Sequence, residues 1–242
     1  MKNVCIFLIL FVATFNLSCN DNISDYKDLK GIDKNKYGLE VITKIEQYQQ
    51  LIKIDSNNRL VDLGKFIPNI ALDIRYATKN NFTGQQVYDS AFAFARLPVA
   101  IKLKAAQEEL SSKGLGFKIF DSYRPYSITL KFWDIIGDSN YVATPWGGSR
   151  HNRGCAIDLT LIDLQTGEEL AMPSKFDEFN ETAHPDNNNF PIEILNNRKI
   201  LIDIMAKYGF RVYPTEWWHF DFVGYEKYPI TDIKFESLDS LK

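Results

Sequence analysis

The ten residues GCAIDLTLID, residues 154–163, contain the pattern on which the fold depends. The run is short, rich in isoleucine and leucine, and begins with a glycine, which is typical of a buried β-strand. Strand alternation places Asp158 on one face and Cys155, Ile157 and Leu159 on the other. A carboxylate inside an apolar strand is costly unless it is paired or bound to a metal ion. The stretch therefore predicts a buried strand that carries a polar site.

Other segments predict further strands and two helices. Residues 115–122 and parts of 210–225 read as strands, whereas 97–114 and 191–209 show the 3.6-residue apolar period of helices. Pro98 stands near the start of the first helix and Gly114 at its end. The elements follow no regular β-α-β order, so the sequence predicts a single compact domain of the α+β class.

The stretch IALDIRYA, residues 70–77, alternates between apolar and polar residues. This pattern predicts a half-buried strand with Asp73 and Arg75 together on its polar face. Side chains that share a strand face in this way can form an ion pair, so a structural role for Arg75 is one open interpretation.

Composition indicates a globular protein. Of the 242 residues, 45% are hydrophobic and 24% are charged, and the formal net charge is −3. These are ordinary values for a folded domain. The sequence pI of about 5.7 gives no basic surface of the kind that nucleic acid requires, so we expect no nucleic-acid partner. No protein partner is predicted either.

The first nineteen residues resemble a bacterial lipoprotein signal. Lys2 precedes an apolar run, and Ser18 stands before Cys19. We expect residues 1–18 to be a cleaved signal peptide, Cys19 to carry a lipid anchor, residues 19–37 to form a flexible tether, and residues 38–242 to form the domain. The protein would then be exported and held on the periplasmic side of a membrane. Simple secretion with a free Cys19 is the alternative, because Asn16 stands where such signals place leucine.

Two of the three histidines lie in stretches that could bind a metal. His151 precedes Asp158 by seven residues, so a loop could deliver the imidazole to the carboxylate on the strand. His219 lies in TEWWHFDF, residues 215–222, three residues after Glu216. Two histidines and one carboxylate are a ligand set typical of catalytic zinc. Taken alone, an aromatic stretch with one histidine is more often a half-buried strand than a ligand set.

Together, the motifs Ser-x-His-x-x-Gly-x-Ala-x-Asp (149–158) and Glu-Trp-Trp-His (216–219) resemble those of the D-alanyl-D-alanine dipeptidases, the VanX-like zinc peptidases. LDIRYATKNNFTG and SYRP are similar to the same family. The resemblance implies a central antiparallel sheet flanked by helices, with one zinc ion at the sheet. It also implies a role for each site residue: zinc ligands His151, Asp158 and His219, catalytic base Glu216, and transition-state arginine Arg75.

Several other residues have open roles. Ser149 could contact substrate or cap the turn, Asp73 could reach the site, and Arg124 in SYRP could anchor a carboxylate or hold the turn. Cys155 is expected to be a small core residue without a disulfide partner. His184 lies in a polar loop and is expected to be solvated or part of a lid.

The resemblance implies that the enzyme hydrolyses D-Ala-D-Ala to two D-alanines. One alternative is a D,D-carboxypeptidase that trims peptidoglycan stem peptides. Another is a lipoprotein that binds wall peptides through an inert zinc site, although pure binding needs no base beside the metal. The loop 164–190 distinguishes the two enzymes, since a loop folded over the site would restrict substrates to dipeptides.

Replacing Cys19 by alanine should abolish labelling with fatty acid and release the protein from the membrane fraction, because the lipid would be attached to that thiol. Cys5→Ala is the matched control, because Cys5 lies in the cleaved leader, and it should keep the label. A Cys19→Ala protein that is still labelled would favour simple secretion.

Overall fold

The computed structural model of the protein describes residue 29 and residues 31–139 and 141–241. The expected leader and Cys19 lie outside these residues. None of the helices in this part of the chain combines the length and apolarity needed to cross a membrane.

Helices and strands are interleaved along the described chain. The helices are α1 Ile45–Ile54, α2 Leu63–Phe66, α3 Leu97–Ser111, α4 Tyr126–Ile136, α5 Ile192–Lys207 and α6 Phe235–Asp239. The strands are β1 Val41–Ile42, β2 Leu60–Asp62, β3 Ala71–Leu72, β4 Phe94–Arg96, β5 Leu115–Asp121, β6 Ala156–Asp163, β7 Phe210–Tyr213, β8 Glu216–Phe222 and β9 Ile230–Thr231. Short 3₁₀ turns lie at Ser56–Asn58, Arg75–Ala77, His151–Arg153, Glu181–Ala183 and Tyr225–Lys227.

The central sheet has five strands in the order β3-β5-β6-β8-β7. The pairs β5–β6, β6–β8 and β7–β8 are antiparallel, but β3 runs parallel to β5. The sheet is therefore mixed, and the expectation of an antiparallel sheet is corrected at this edge. Parallel neighbours need a long crossover, which the chain from 73 to 114 provides through β4 and α3. The α+β class predicted from the sequence is confirmed.

The strand β6 is the middle strand of the sheet and matches the segment predicted as a buried strand. Its residues Ile157, Leu159 and Leu161 have no exposed surface and belong to the main hydrophobic core. Asp158 points to the opposite face, where it is 3% exposed. Burying apolar side chains of this size contributes roughly 1.5–3 kcal/mol each, so the register of β6 is strongly determined.

The two predicted helices, α3 and α5, pack on the sheet and on each other. Pro98 lies in the first turn of α3, and Gly114 follows its end with a φ of +76°, which only glycine adopts readily. The predicted apolar face of α3 has no exposed surface; its residues are Val99, Leu103, Ala106 and Leu110.

The strand predicted at 70–77 is mostly absent. Only Ala71–Leu72 form a strand, and the chain then enters the turn Arg75–Ala77. The backbone N–H groups of Ala77 and Thr78 donate to the carbonyls of Ile74 and Arg75, both at 3.0 Å, instead of to a neighbouring strand. Alternation over eight residues was therefore a weak signal, because local turn hydrogen bonds satisfied the backbone equally well.

The packed part of the chain extends into the segment expected to be a tether. Leu29 is 8% exposed and belongs to the core, and Gln47 Nε2 donates to the carbonyl of Gly31 at 2.9 Å. The amide of Asn35 donates to the hydroxyl of Tyr126 at 3.2 Å. The structured domain thus begins before residue 38.

Candidate metal centre

Three buried side chains converge on the polar face of the sheet. Asp158 on β6 is the direct cross-strand neighbour of His219 on β8. His151 comes from the turn immediately before β6. One ligand atom from each of the three residues can be chosen so that all lie within 4.8 Å of one another. The sequence prediction that these residues form one cluster therefore agrees with the geometry.

The turn between His151 and β6 depends on Gly154. Its φ is +69°, and a Cβ at this position would lie 2.5 Å from a side-chain methyl carbon of Leu60. A side chain would therefore meet both backbone strain and a steric clash. The N–H of Gly154 donates to the carbonyl of His151 at 2.9 Å, which closes the turn and brings the imidazole back over β6.

Each imidazole has an acceptor on the side away from the cluster. His151 Nδ1–H donates to the carbonyl of Ser122 at 2.6 Å, and His219 Nε2–H donates to Asp221 Oδ1 at 3.0 Å. The inward nitrogens, His151 Nε2 and His219 Nδ1, lie 3.2 Å apart. They approach Asp158 Oδ1 at 3.4 and 3.0 Å respectively.

The cluster is electrostatically suited to a cation. Although burial opposes ionisation, His151 and His219 hold the pKa of Asp158 below its ordinary range. Burial also lowers the pKa of His219, but Asp158 and Asp221 outweigh this effect and raise it well above its usual value. Asp158 Oδ1 is buried without a hydrogen-bond partner of acceptable geometry. Two imidazole nitrogens and this oxygen match the three-ligand set of catalytic zinc, so the residues fit the ion.

An irregularity in β8 lets Glu216 face the same cavity as His219. Residues three apart on a regular strand point to opposite faces. Here the pairing between β7 and β8 changes register between Val212–Phe220 and Tyr213–Glu216. Such bulges re-aim side chains beside active sites. Glu216 Oε2 consequently lies 3.8 Å from His219 Nδ1, and burial raises the pKa of Glu216.

A cavity opens in front of the cluster. Two loops contribute to its wall: Tyr141 from one and Phe179 from the other have ring centroids 5.6 Å apart. Phe179 also packs against Phe82 and Trp218. The cavity is lined by the cluster residues and Glu216 and by fourteen other residues. They are His151, Asp158, Glu216 and His219, together with Tyr76, Phe82, Arg124, Phe132, Ser139, Tyr141, Val142, Ala143, Ser149, Arg150, Asp177, Phe179, Tyr213 and Trp218.

Arg124 lines this cavity, whereas Arg75 does not. Arg124 donates through Nε and Nη2 to Asp121 Oδ2 at 3.0 and 2.7 Å. Its guanidinium lies over the rings of Phe132 and Tyr76, 4.8 and 5.2 Å from their centroids. Burial disfavours this charge, but Asp121 keeps the pKa of Arg124 well above its ordinary value.

Arg75 lies instead in a neighbouring groove with Glu169 and Trp217. Its Nε contacts Asp73 Oδ2 at 2.7 Å, and Nη2 lies 3.7 Å from Glu169 Oε1. Its guanidinium also covers the ring of Phe120 at 4.7 Å. The structure therefore places Arg75 and Asp73 together as an ion pair outside the cavity, and the sequence pattern gave no means of choosing between the two arginines.

Asp177 is a cavity residue that sequence reasoning missed. Its carboxylate accepts hydrogen bonds from the Tyr76 hydroxyl at 3.0 Å and the Phe82 N–H at 3.3 Å. Burial and the charge of Asp158 raise its pKa well above the ordinary value. Its φ of +62° is unusual for a residue other than glycine, and such strain is found at functional sites. The only signal in the sequence was its position in the long loop 164–190.

The remaining candidates divide between the site and the scaffold. Ser149 lines the cavity, and its hydroxyl accepts from the His151 N–H at 3.2 Å, so it caps the turn. Cys155 is a buried free thiol whose pKa burial raises to about 12. His184 ends the turn Glu181–Ala183 and is not among the cavity residues.

Residues 56–237 match peptidase family M15, described as D-ala-D-ala dipeptidase. The chain belongs to this family. It is 33% identical over 182 residues to the D-alanyl-D-alanine dipeptidase of Escherichia coli K12, covering 75% of this chain and 94% of that protein. It is also 33% identical to the D-alanyl-D-alanine dipeptidase of Enterococcus faecalis V583, over 74% of this chain and 98% of that protein. The family resemblance predicted from the two motifs is confirmed.

Among solved structures, the LdcB LD-carboxypeptidase matches with a TM-score of 0.42 and 21% identity, over 81% of this chain and 85% of that one.

The purified M15 peptidase should contain about one zinc ion per chain, held by two imidazole nitrogens and one carboxylate oxygen. His151→Ala and His219→Ala should each remove most of it on dialysis, because only two ligands would remain. Elemental analysis measures the content. His184→Ala is the matched control, since His184 lies outside the cluster. Full zinc content in a double variant lacking His151 and His219 would disprove the assignment.

Proposed function

We propose that this chain is a zinc-dependent dipeptidase that hydrolyses D-Ala-D-Ala to two molecules of D-alanine. The observation that carries the proposal is the buried cluster of His151, Asp158 and His219 with Glu216 beside it, in a member of a family described as D-ala-D-ala dipeptidase. Zinc in such a site lowers the pKa of water toward about 7 and polarises a peptide carbonyl. The protein's own residues supply the rest of the chemistry.

In this proposal Glu216 is the general base. It faces the cavity beside His219, and burial moves its pKa upward, toward the working pH at which a base is most effective. A carboxylate in this position accepts a proton from the attacking water and passes it to the leaving amine. An inert binding site would not require such a residue, so Glu216 argues against the non-catalytic alternative.

Arg124 is better placed than Arg75 to stabilise the developing oxyanion. Asp121 and two aromatic rings hold its guanidinium in one position at the cavity wall. Preorganised donors of this kind are effective because they do not need to reorient during the reaction. We therefore assign to Arg124 the role that the resemblance had given to Arg75.

Asp177 gives the cavity a preference for a free amino terminus. Its hydrogen-bond donors, a hydroxyl and a backbone N–H, are neutral and do not offset a buried negative charge, so a cation beside Asp177 would stabilise its ionised form. The ammonium group of a dipeptide is such a cation, whereas a stem peptide presents an amide at that position. The loop that carries Asp177 also lines the cavity through Phe179, which narrows the space for a longer peptide. Both features favour a dipeptidase over a D,D-carboxypeptidase.

Export and lipid anchoring at Cys19 remain part of the proposal. They are supported by the sequence of residues 1–19 alone, and they would place the enzyme on the periplasmic side, where wall-derived peptides occur.

Glu216→Gln should lower kcat for D-Ala-D-Ala by about 10²–10⁴-fold while zinc content is unchanged, because glutamine keeps the shape but cannot accept the proton. The assay measures released D-alanine, with Glu193→Gln on the exposed side of α5 as control. Wild-type enzyme should cleave D-Ala-D-Ala far better than its N-acetylated form or a pentapeptide ending in D-Ala-D-Ala. Equal cleavage of all three would exclude the dipeptidase assignment, and a fully active Glu216→Gln enzyme would place the base elsewhere.

The two arginines provide a further comparison. Arg124→Lys should lower kcat by about 10²–10³-fold, the usual effect of losing an oxyanion donor, because a point charge cannot reproduce the fixed guanidinium geometry. Arg75→Lys should change kcat only a few-fold, since its partners lie outside the cavity. Steady-state kinetics measure the loss of kcat in both variants. A larger loss in Arg75→Lys than in Arg124→Lys would restore the catalytic role to Arg75.

A further inference from the structure

The carboxylate of Asp221 lies directly behind the metal cluster. His219 and Asp221 are two residues apart on β8, so their side chains project to the same face of the strand. His219 Nε2–H donates to Asp221 Oδ1 at 3.0 Å. The backbone of Asp221 is paired on both sides, with Ala156 of β6 and Arg211 of β7, so the carboxylate is held on a rigid element.

The second oxygen of Asp221 faces Arg150. Arg150 Nε lies 3.6 Å from Asp221 Oδ2. The guanidinium is held between two rings, 5.5 Å from the centroid of Tyr213 and 5.4 Å from that of Tyr225. Arg150 immediately precedes His151 in the sequence. It therefore links the turn that carries His151 with Asp221, the residue that supports His219.

The two histidines are supported in different ways. His151 Nδ1–H donates to the backbone carbonyl of Ser122, and the carboxylate of Asp121 lies farther from the same nitrogen, at 3.7 Å; His219 Nε2–H donates directly to a carboxylate, that of Asp221. A neutral imidazole carries one N–H, and fixing it on one nitrogen leaves the lone pair on the other. Holding the proton of His219 on Nε2 therefore points the lone pair of Nδ1 toward Asp158 and His151.

We propose that Asp221, held by Arg150, is a positioning residue that fixes the tautomer and orientation of His219 and so sets the zinc affinity of the site. The inference rests on the proposed zinc site. Arg150 acts through Asp221: both residues line an open groove with Arg211, Pro214 and Tyr225, and the contact with Arg150 keeps the carboxylate turned toward His219. Carboxylates behind metal-bound histidines typically change metal affinity by about 10–100-fold.

The test uses the full-length protein, stripped of metal, and measures the zinc dissociation constant by competition with a chelator. Asp221→Ala should weaken zinc binding by about 10–100-fold. Asp221→Asn should weaken it less, because the amide oxygen can still accept from Nε2–H. Arg150→Ala should give a smaller loss than Asp221→Ala, and the double variant should be no worse than Asp221→Ala, since the two residues act in series.

Asp203→Ala is the matched control, because Asp203 forms an exposed ion pair with Lys199 on α5. The melting temperature of each metal-free variant separates zinc binding from folding, and the Asn variant decides the matter if the Ala variant does not fold. Zinc affinity of both Asp221 variants within twofold of the control would overturn the inference while leaving the proposed function intact. Additive losses in the double variant would overturn the role of Arg150. A wild-type protein that binds no zinc would overturn both the proposed function and this inference.

Discussion

The cross-strand pair formed by Asp158 and His219 is the interaction on which the site and the sheet both depend. A carboxylate in the middle strand of a sheet loses its hydration, which costs several kcal/mol unless a partner compensates. His219 provides that partner from the adjacent strand only in the observed register. A slip of one residue would bring Phe220 opposite Asp158 and send the imidazole to the other face. The apolar residues of β6 fix the same register independently, so packing and site chemistry favour one arrangement.

The parts of this arrangement that the sequence predicted are local. His151 and Asp158 are seven residues apart, and a tight turn followed by strand alternation is enough to bring them together. The helices α3 and α5 were equally predictable, because they are fifteen and sixteen residues long and the 3.6-residue apolar period repeats several times over such lengths. The two-residue strand β3 is too short for a two-residue period to be detected reliably. The alternation of apolar and polar residues around it predicted a longer strand, but the chain after Leu72 forms a turn with its own hydrogen bonds.

The parts that were not predicted depend on contacts between distant residues. Asp177 reaches Tyr76 across a sequence separation of 101 residues, and no spacing rule connects them. The different locations of the two arginines have the same origin. Arg75 and Arg124 both stand in motif-like segments, but the turn after β3 directs Arg75 toward Asp73, whereas the end of β5 directs Arg124 into the cavity. The irregularity in β8 was also hidden, since alternation alone would have separated Glu216 from His219.

Charge balance connects the metal, the substrate and the loop. Among the described residues, five carboxylates lie on the cavity or directly behind it, and two guanidiniums, those of Arg124 and Arg150, face them. The carboxylates are Asp121, Asp158, Asp177, Glu216 and Asp221. Burial raises the pKa values of Asp177 and Glu216, and the charge of Asp158 raises both further. A divalent ion in the cluster would offset two of the remaining three charges. A dipeptide carries a carboxylate as well as an ammonium group, so its binding adds no net charge, and its ammonium group would act locally beside Asp177. The negative charge around the cluster therefore favours a metal ion at the histidines and a positive group next to Asp177.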